Sequence, residues 1–207
     1  FERGMISPCF VTNEQKLSAE FENALILVSA GKISTKTEIF PILEKVFKDN
    51  RPLVIIADDI TDEALGILLV NRIKAGYPIC AVKAPSFGED KVETLRDICA
   101  LTGATLVNDE TGLRIDTIGL KNLGVVEKIT ITKDSTTIVN GSGKKEDIEG
   151  RIKYIRTRLE LSTSDFETEQ LKNRLAKING GVAVIYVGAA SDIELNEKKD
   201  RVDDAMR

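Results

Sequence analysis

Residues 52–73 join a strand-length apolar run to a helix-length segment that is apolar on more sides than one core can cover. The run at 52–57 is typical of a strand that is buried on both faces of a sheet. Helical periodicity places Ala64, Ile67, Leu68 and Asn71 on one arc of the following segment. Leu65, Leu69 and Ile73 form a second stripe turned well away from the first, with Val70 beyond it. One arc can pack on the sheet, so the other must be covered by more protein or serve as an exposed binding surface.

Composition limits the classes of protein to which the chain can belong. At 207 residues and 42% hydrophobic content, it can build one large core or two modest ones. Its net charge of −4 and the lack of a Lys/Arg block argue against a nucleic-acid partner. No apolar stretch approaches the length of a membrane span, and the start does not resemble a signal peptide, so we expect no membrane association. Because the first residue is Phe1, we expect a fragment of a longer protein.

Histidine is absent, which removes several kinds of active site. A Ser-His-Asp or Cys-His triad, an imidazole base and a histidine metal site are all impossible, and we expect no metal site. The three cysteines, Cys9, Cys80 and Cys99, are far apart and form no C-x-x-C motif. We therefore expect reduced thiols in the core, as in a cytosolic or organelle-matrix protein.

The first half of the chain alternates strands with helices. Strands are predicted at 21–28, 52–57 and 78–83, and amphipathic helices at about 38–48 and 90–101, besides the one within 64–73. Thr35 and Glu38 have the spacing of a capping box, and Pro41 predicts a kink or a later helix start. This alternation indicates an α/β layer with a largely parallel sheet.

The second half follows a different pattern. Segments 126–132 and 136–139 predict a β-hairpin, followed by helices from 145 to about 160 and from about 165 to 178. A strand at 182–187 and a charged amphipathic helix at 192–207 complete the chain. Gly180 and Gly181 are the best candidates for a domain boundary or hinge.

The segment Gly141-Ser142-Gly143-Lys144 has a superficial likeness to a phosphate-binding loop. A P-loop requires a further glycine where Ile138 stands, and a Ser or Thr where Lys145 stands. The backbone cradle and the Mg²⁺-binding hydroxyl would both be missing, so the segment is interpreted as the exit from the hairpin.

The helix near 38–48 also carries two apolar stripes: Ile39, Ile42 and Val46, and beside them Phe40, Leu43 and Phe47. The two helices flank strand 52–57 and should lie side by side on one sheet face. Their outer stripes would then form a groove of Phe40, Leu43 and Phe47 against Leu65, Leu69 and Val70. Periodicity alone favours burial of this groove by the rest of the domain over exposure. If exposed, it would bind an apolar strand or an amphipathic helix of another protein.

The chain resembles the group I chaperonins, the GroEL family, along its whole length. The resemblance rests on FERGMISP at 1–8, PLVIIA at 52–57, EAL at 63–65, LVN at 69–71, AVKAPSFG at 81–88, KDSTT at 133–137, GGVAVI at 180–185 and VGAA at 187–190. It implies an α/β apical domain at 1–179, in which sheet layers are flanked by helices. It also implies a trailing α/β segment of the intermediate domain at 180–207, without the equatorial ATP-binding domain.

The resemblance implies an exposed groove, against the preference from periodicity. In this family the groove captures non-native polypeptides and the mobile loop of a GroES-like co-chaperonin. The positions implied here are Met5, Cys9, Phe10, Phe40, Leu43, Glu44, Phe47, Leu65, Leu69, Val70 and Asn71. A shallow apolar patch suits promiscuous capture, because affinity follows buried area rather than a hydrogen-bond pattern.

The resemblance also implies how the full-length subunit works. ATP and Mg²⁺ would bind to the full-length subunit, and no cofactor is expected in this segment. Asp204 matches the family's aspartate that positions the water molecule for attack on ATP. This segment alone is not expected to hydrolyse ATP. Gly180 and Gly181 match the hinge. The full-length protein is expected to form a ring, a tetradecamer, in the bacterial cytoplasm or an organelle matrix or stroma, whereas the fragment is expected to be monomeric.

Several positions depart from the family pattern. Met5 and Cys9 replace tyrosines, Phe40 and Phe47 are bulkier than usual, and the segment from Lys74 to Tyr77 replaces an Arg-Gly segment beside the groove. Two rival hypotheses are an α/β enzyme of unknown reaction, with a polar pocket at the carboxyl ends of the strands, and a structural domain with a permanently covered groove.

Overall fold

The computed structural model describes residues 6–84, 88–133, 135–179 and 182–186. Its strands are, in chain order, β1 (Ala19–Ser29), β2 (Lys32–Ile33), β3 (Leu53–Ala57), β4 (Asp59–Ile60), β5 (Ile79–Lys83), β6 (Leu106–Val107), β7 (Gly124–Ile131), β8 (Ser135–Gly141) and β9 (Val182–Tyr186). Its helices are α1 (Lys36–Asp49), α2 (Asp62–Ala75), α3 (Gly88–Thr102), α4 (Lys145–Leu161) and α5 (Asp165–Asn179). None of the described helices is long and apolar enough to cross a membrane.

The main sheet has the strand order β5-β3-β1-β7-β8-β9 and is half parallel, half antiparallel. Strands β5, β3 and β1 are parallel, whereas β7, β8 and β9 continue the sheet in antiparallel pairs. The long strand β1 joins the two halves, because it pairs with β3 along one edge and with β7 and then β6 along the other. A separate parallel pair is formed by β2 and β4.

The helices divide between the two faces of the sheet. In the connections β1-α1-β3 and β3-α2-β5, the chain moves across the sheet in the same direction, so right-handed crossovers place α1 and α2 on one face. From β5 the chain returns through α3 to β6, which pairs with the other edge of β1, so α3 lies on the opposite face. Accordingly, α1 contacts α2, while α3 contacts β7, β8 and the antiparallel helix pair α4–α5.

The apolar interior explains why the central strands form. All residues of β3 are buried, as expected for a strand that is covered on both faces. The inward side chains of α1 and α2 join the same core. A second, small core lies between the helices of the other face and contains Ile155, Leu171 and Ile178.

The α/β fold class, the predicted strands and the hairpin are confirmed. The parallel sheet predicted from the first half of the chain is confirmed for β1, β3 and β5, but the sheet as a whole is mixed because the hairpin pairs with the free edge of β1. Helix α1 begins at Lys36, so Pro41 lies inside it and does not delay its start. The predicted helix at 192–207 and the hinge Gly180–Gly181 lie outside the described residues. Strand β9, just after that pair, is hydrogen-bonded to β8 in the main sheet.

Candidate functional site

Helix α1 is held in place by caps at both ends. Thr35 and Glu38 form the predicted capping box: the Thr35 backbone N–H donates to the Glu38 carboxylate at 3.1 Å, and the Glu38 N–H donates to the Thr35 hydroxyl at 3.3 Å. Burial alone would raise the pKa of Glu38, but hydrogen bonds from Thr35 and Ser34 outweigh it and hold the pKa below its ordinary value of 4.5. Asn50 ends the helix in the left-handed conformation, with φ 55°.

Helix α2 packs part of its apolar surface against the core and leaves the rest open to solvent. Only Ala64 and Leu68 are fully buried, and both belong to the first arc predicted from periodicity. Leu65 and Leu69 of the second arc are half-buried, whereas Val70 and Ile73 are 51% and 63% exposed. The exposure of large apolar side chains on one helix makes this face a candidate binding surface.

The two helices contact each other and together carry an apolar surface. We call it the α1–α2 surface and define it by Phe40, Phe47, Leu65, Leu69, Val70 and Ile73. Phe40 is 41% exposed, and the Lys36 ammonium lies 5.7 Å from the centre of its ring. Phe47 is half-buried, while Glu44, between the two phenylalanines in sequence, is exposed. The surface is therefore apolar, with charged groups beside it.

Two predicted binding residues lie in the core instead. Leu43 and Phe10 have no exposed surface. Helix α1 has a further neighbour that periodicity could not reveal, the segment with short 3₁₀ turns at Ile115–Thr117 and Leu120–Asn122. Phe10 ends the 3₁₀ turn Pro8–Phe10, which packs against α2 and β5. Both side chains thus contribute to stability rather than to an accessible surface.

The remaining predicted positions are placed as follows. Asn71 is half-buried, and its amide donates to the Ile67 carbonyl of its own helix at 2.8 Å. Cys9 is exposed, contrary to the prediction of a core thiol. Met5, Gly180, Gly181 and Asp204 lie outside the described residues. Ile73 was not among the predicted binding residues, although the i, i+4, i+8 stripe that it ends was a signal for it.

Burial raises the pKa of the other two thiols. Cys80 is buried, and its burial raises the pKa of the thiol well above the ordinary range. Burial also raises the pKa of Cys99 to about 12. Both thiols therefore stay protonated at neutral pH and act as apolar side chains.

The described residues offer few groups for chemistry. None of their His, Cys, Asp and Glu side chains form a group of three or more that could hold a metal ion. At the carboxyl end of β3, where a polar pocket would lie in an α/β enzyme, Asp58 is engaged in an ion pair with Lys91 at 3.0 Å. A small cleft elsewhere lies between α3 and α5. It is lined by three apolar side chains and four polar or charged ones: Ile98, Leu101, Ile178, Thr94, Asp97, Arg174 and Lys177.

The hydrogen bonds of residues 141–144 agree with their interpretation as the exit from the hairpin and not as a phosphate-binding loop. The Gly143 N–H donates to the Leu101 carbonyl at 3.0 Å, and the Ser142 hydroxyl donates to the Thr102 carbonyl at 3.1 Å. These groups cap the carboxyl end of α3, whose partial negative charge repels anions.

Comparison with protein families identifies the chain. Residues 16–207 match the model of the TCP-1/cpn60 chaperonin family. The match covers the main sheet, both helices of the α1–α2 surface and the α4–α5 pair. It agrees with the mixed α/β architecture, in which a sheet is flanked by helices on both faces. This chain therefore belongs to the TCP-1/cpn60 chaperonin family.

Proposed function

We propose that the α1–α2 surface binds apolar segments of non-native polypeptides. The observation that carries this proposal is the exposure of Phe40, Val70 and Ile73 on two adjoining helices, where half-buried Leu65 and Leu69 extend the apolar area. Most of this surface carries no hydrogen-bonding group that would select a particular sequence. Capture would depend on buried apolar area, at roughly 25 cal/mol per Å², and would be weak at a single site. Several copies in a ring would add avidity.

We also propose the place of this surface in a larger molecule. Residues 1–179 would form the apical domain of a group I chaperonin subunit, and 180–207 would form part of its intermediate domain. The α1–α2 surface would also take the mobile loop of a GroES-like co-chaperonin. ATP and Mg²⁺ would bind to the equatorial domain of the full-length ring, Asp204 would position the attacking water, and Gly180 and Gly181 would form the hinge.

The proposal is tested by removing exposed apolar side chains that the fold does not need. The variant Phe40→Ser/Val70→Ser should lose roughly tenfold or more of its affinity for a permanently unfolded, carboxymethylated protein, because two side chains of the contact area become polar. Fluorescence anisotropy of the labelled unfolded protein measures this affinity.

The chain offers a matched control where α4 ends and α5 begins. Leu161 and Phe166 are 73% and 64% exposed, so Leu161→Ser/Phe166→Ser makes equivalent changes outside the α1–α2 surface. This control should bind the unfolded protein as the parent does. Equal affinity of parent and Phe40→Ser/Val70→Ser, or equal losses in both double variants, would refute the proposal.

A further inference from the structure

Tyr77 links the carboxyl ends of α1 and α2. Helix α2 ends at Ala75 and is capped by Gly76, whose left-handed conformation (φ 64°) turns the chain, and the Tyr77 N–H donates to the Asn71 carbonyl at 3.1 Å. The Tyr77 ring then packs against Phe47 of α1, with 4.5 Å between ring centres and an angle of 57° between the planes. The side chain that follows one helix is thus in contact with the last turns of the other.

The hydroxyl of Tyr77 completes this link. Its oxygen lies 2.7 Å from the Arg51 carbonyl oxygen and 3.2 Å from that of Val46. Because a hydroxyl has a single proton, it donates mainly to the nearer carbonyl, that of Arg51. Burial, reinforced by the negative charge of Asp49, raises the pKa of Tyr77, so the proton stays available for this bond at neutral pH.

The contact divides the outer stripe of α1 into two parts. Phe40 and Phe47 lie two helical turns apart on the same stripe, yet Phe40 is 41% exposed and Phe47 is half-buried and packed against the core. Tyr77 packs on one side of Phe47, whereas Phe40 lies outside this contact and keeps more of its surface exposed. The accessible apolar area on α1 therefore lies toward its amino-terminal end.

We propose that Tyr77 is a positioning residue that covers the carboxyl-terminal end of the apolar stripe on α1 and so limits how far along α1 a bound apolar segment can extend. This inference rests on the proposed function. If Tyr77 covers this end of the stripe, removing its ring must expose more of Phe47 to a bound segment, whereas removing only its hydroxyl must not.

The test compares a short and a long version of one labelled amphipathic peptide. Tyr77→Ala should bind the long peptide roughly threefold to tenfold more tightly than the parent does, because the uncovered Phe47 ring adds contact area, and should bind the short peptide unchanged. Tyr77→Phe should restore parental affinity for both peptides. In Phe47→Ala/Tyr77→Ala the gain should disappear, since the newly exposed ring is gone.

An apolar dye separates the role of Tyr77 from the capture of polypeptides. Fluorescence of bis-ANS should rise in Tyr77→Ala and not in Ile178→Val, which weakens the second core without touching the α1–α2 surface. The absence of any gain in Tyr77→Ala, by dye and by long peptide, would overturn the inference, as would an equal gain in Ile178→Val. If no variant binds either peptide but the dye responds only in Tyr77→Ala, the proposed function fails while the role of Tyr77 stands.

Discussion

At the scale of single residues, three glycines allow the carboxyl end of α3 to sit against the sheet. A Cβ atom on Gly141 or Gly143 would overlap the carbonyl oxygen of Leu101 or Ala100, respectively, and one on Gly124 would lie 2.6 Å from the Thr102 hydroxyl oxygen. Two of these glycines belong to the motif that resembles a phosphate loop. Their role is steric, because the backbone of α3 occupies the space that a side chain would need.

We predict that Gly143→Ala destabilises the protein by about 1–3 kcal/mol, the usual cost of overpacking. The overlap is with the backbone of α3, which cannot rotate away as a side chain can. Urea denaturation followed by circular dichroism measures the change in the free energy of unfolding.

Gly150 provides the opposite case for comparison. It lies inside α4, and a Cβ there would have no heavy atom within 4 Å. Gly150→Ala should therefore stabilise the protein by up to about 1 kcal/mol through helix propensity alone. A similar effect of the two substitutions on the free energy of unfolding would contradict the steric role of Gly143.

At the scale of elements, a charge network attaches the α4–α5 pair to α3. The Asp97 carboxylate accepts from the guanidinium groups of both Arg151 (2.9 Å) and Arg174 (2.7 Å), and Glu93 accepts from Arg151 at 2.9 Å. The side chains of Asp97, Arg151 and Arg174 are only 7%, 17% and 12% exposed. With so little exposure, solvent screens these pairs less than ordinary surface ion pairs.

We predict that Asp97→Asn destabilises the protein by about 1–3 kcal/mol, because it removes the carboxylate nearest to both arginines and leaves Glu93 alone to balance two largely buried positive charges. Hydrogen exchange should show the loss of protection first in α4 and α5, since the network joins those helices to α3. The exposed pair of Lys145 and Glu149 supplies the control, and Glu149→Gln should have no measurable effect on stability. A loss in Asp97→Asn no larger than in this control would show that the network does not hold the helices.

At the scale of the whole molecule, the sequence predicted what depends on local periodicity. The run at 52–57 predicted β3 because all its residues are apolar, and the Thr35–Glu38 spacing predicted the start of α1. The two arcs of α2 are separated only in part: Ala64 and Leu68 of the first are buried and Ile73 of the second is exposed, but Ile67 of the first is half-buried like Leu65 and Leu69.

Features that depend on contacts between distant segments could not be predicted. The burial of Leu43 and Phe10 follows from tertiary packing that helical periodicity does not contain. On another side of α1, the Lys45 ammonium donates to the Ile118 carbonyl, 73 residues away, at 3.0 Å. The contact of Tyr77 with Phe47 likewise joins the end of one helix to the other. The pairing of β7 with β1 is of the same kind, because either edge of a strand can accept a partner.

Methyl NMR can show directly whether unfolded polypeptides bind to the α1–α2 surface. Isotope-labelled methyl groups would be followed while an unfolded, carboxymethylated protein is added. We predict shifts or broadening at Leu65, Leu69, Val70 and Ile73, with no change at Leu161 or Leu17, which are also exposed but lie elsewhere. Perturbations centred on Leu161 or Leu17, with α2 unaffected, would contradict the account.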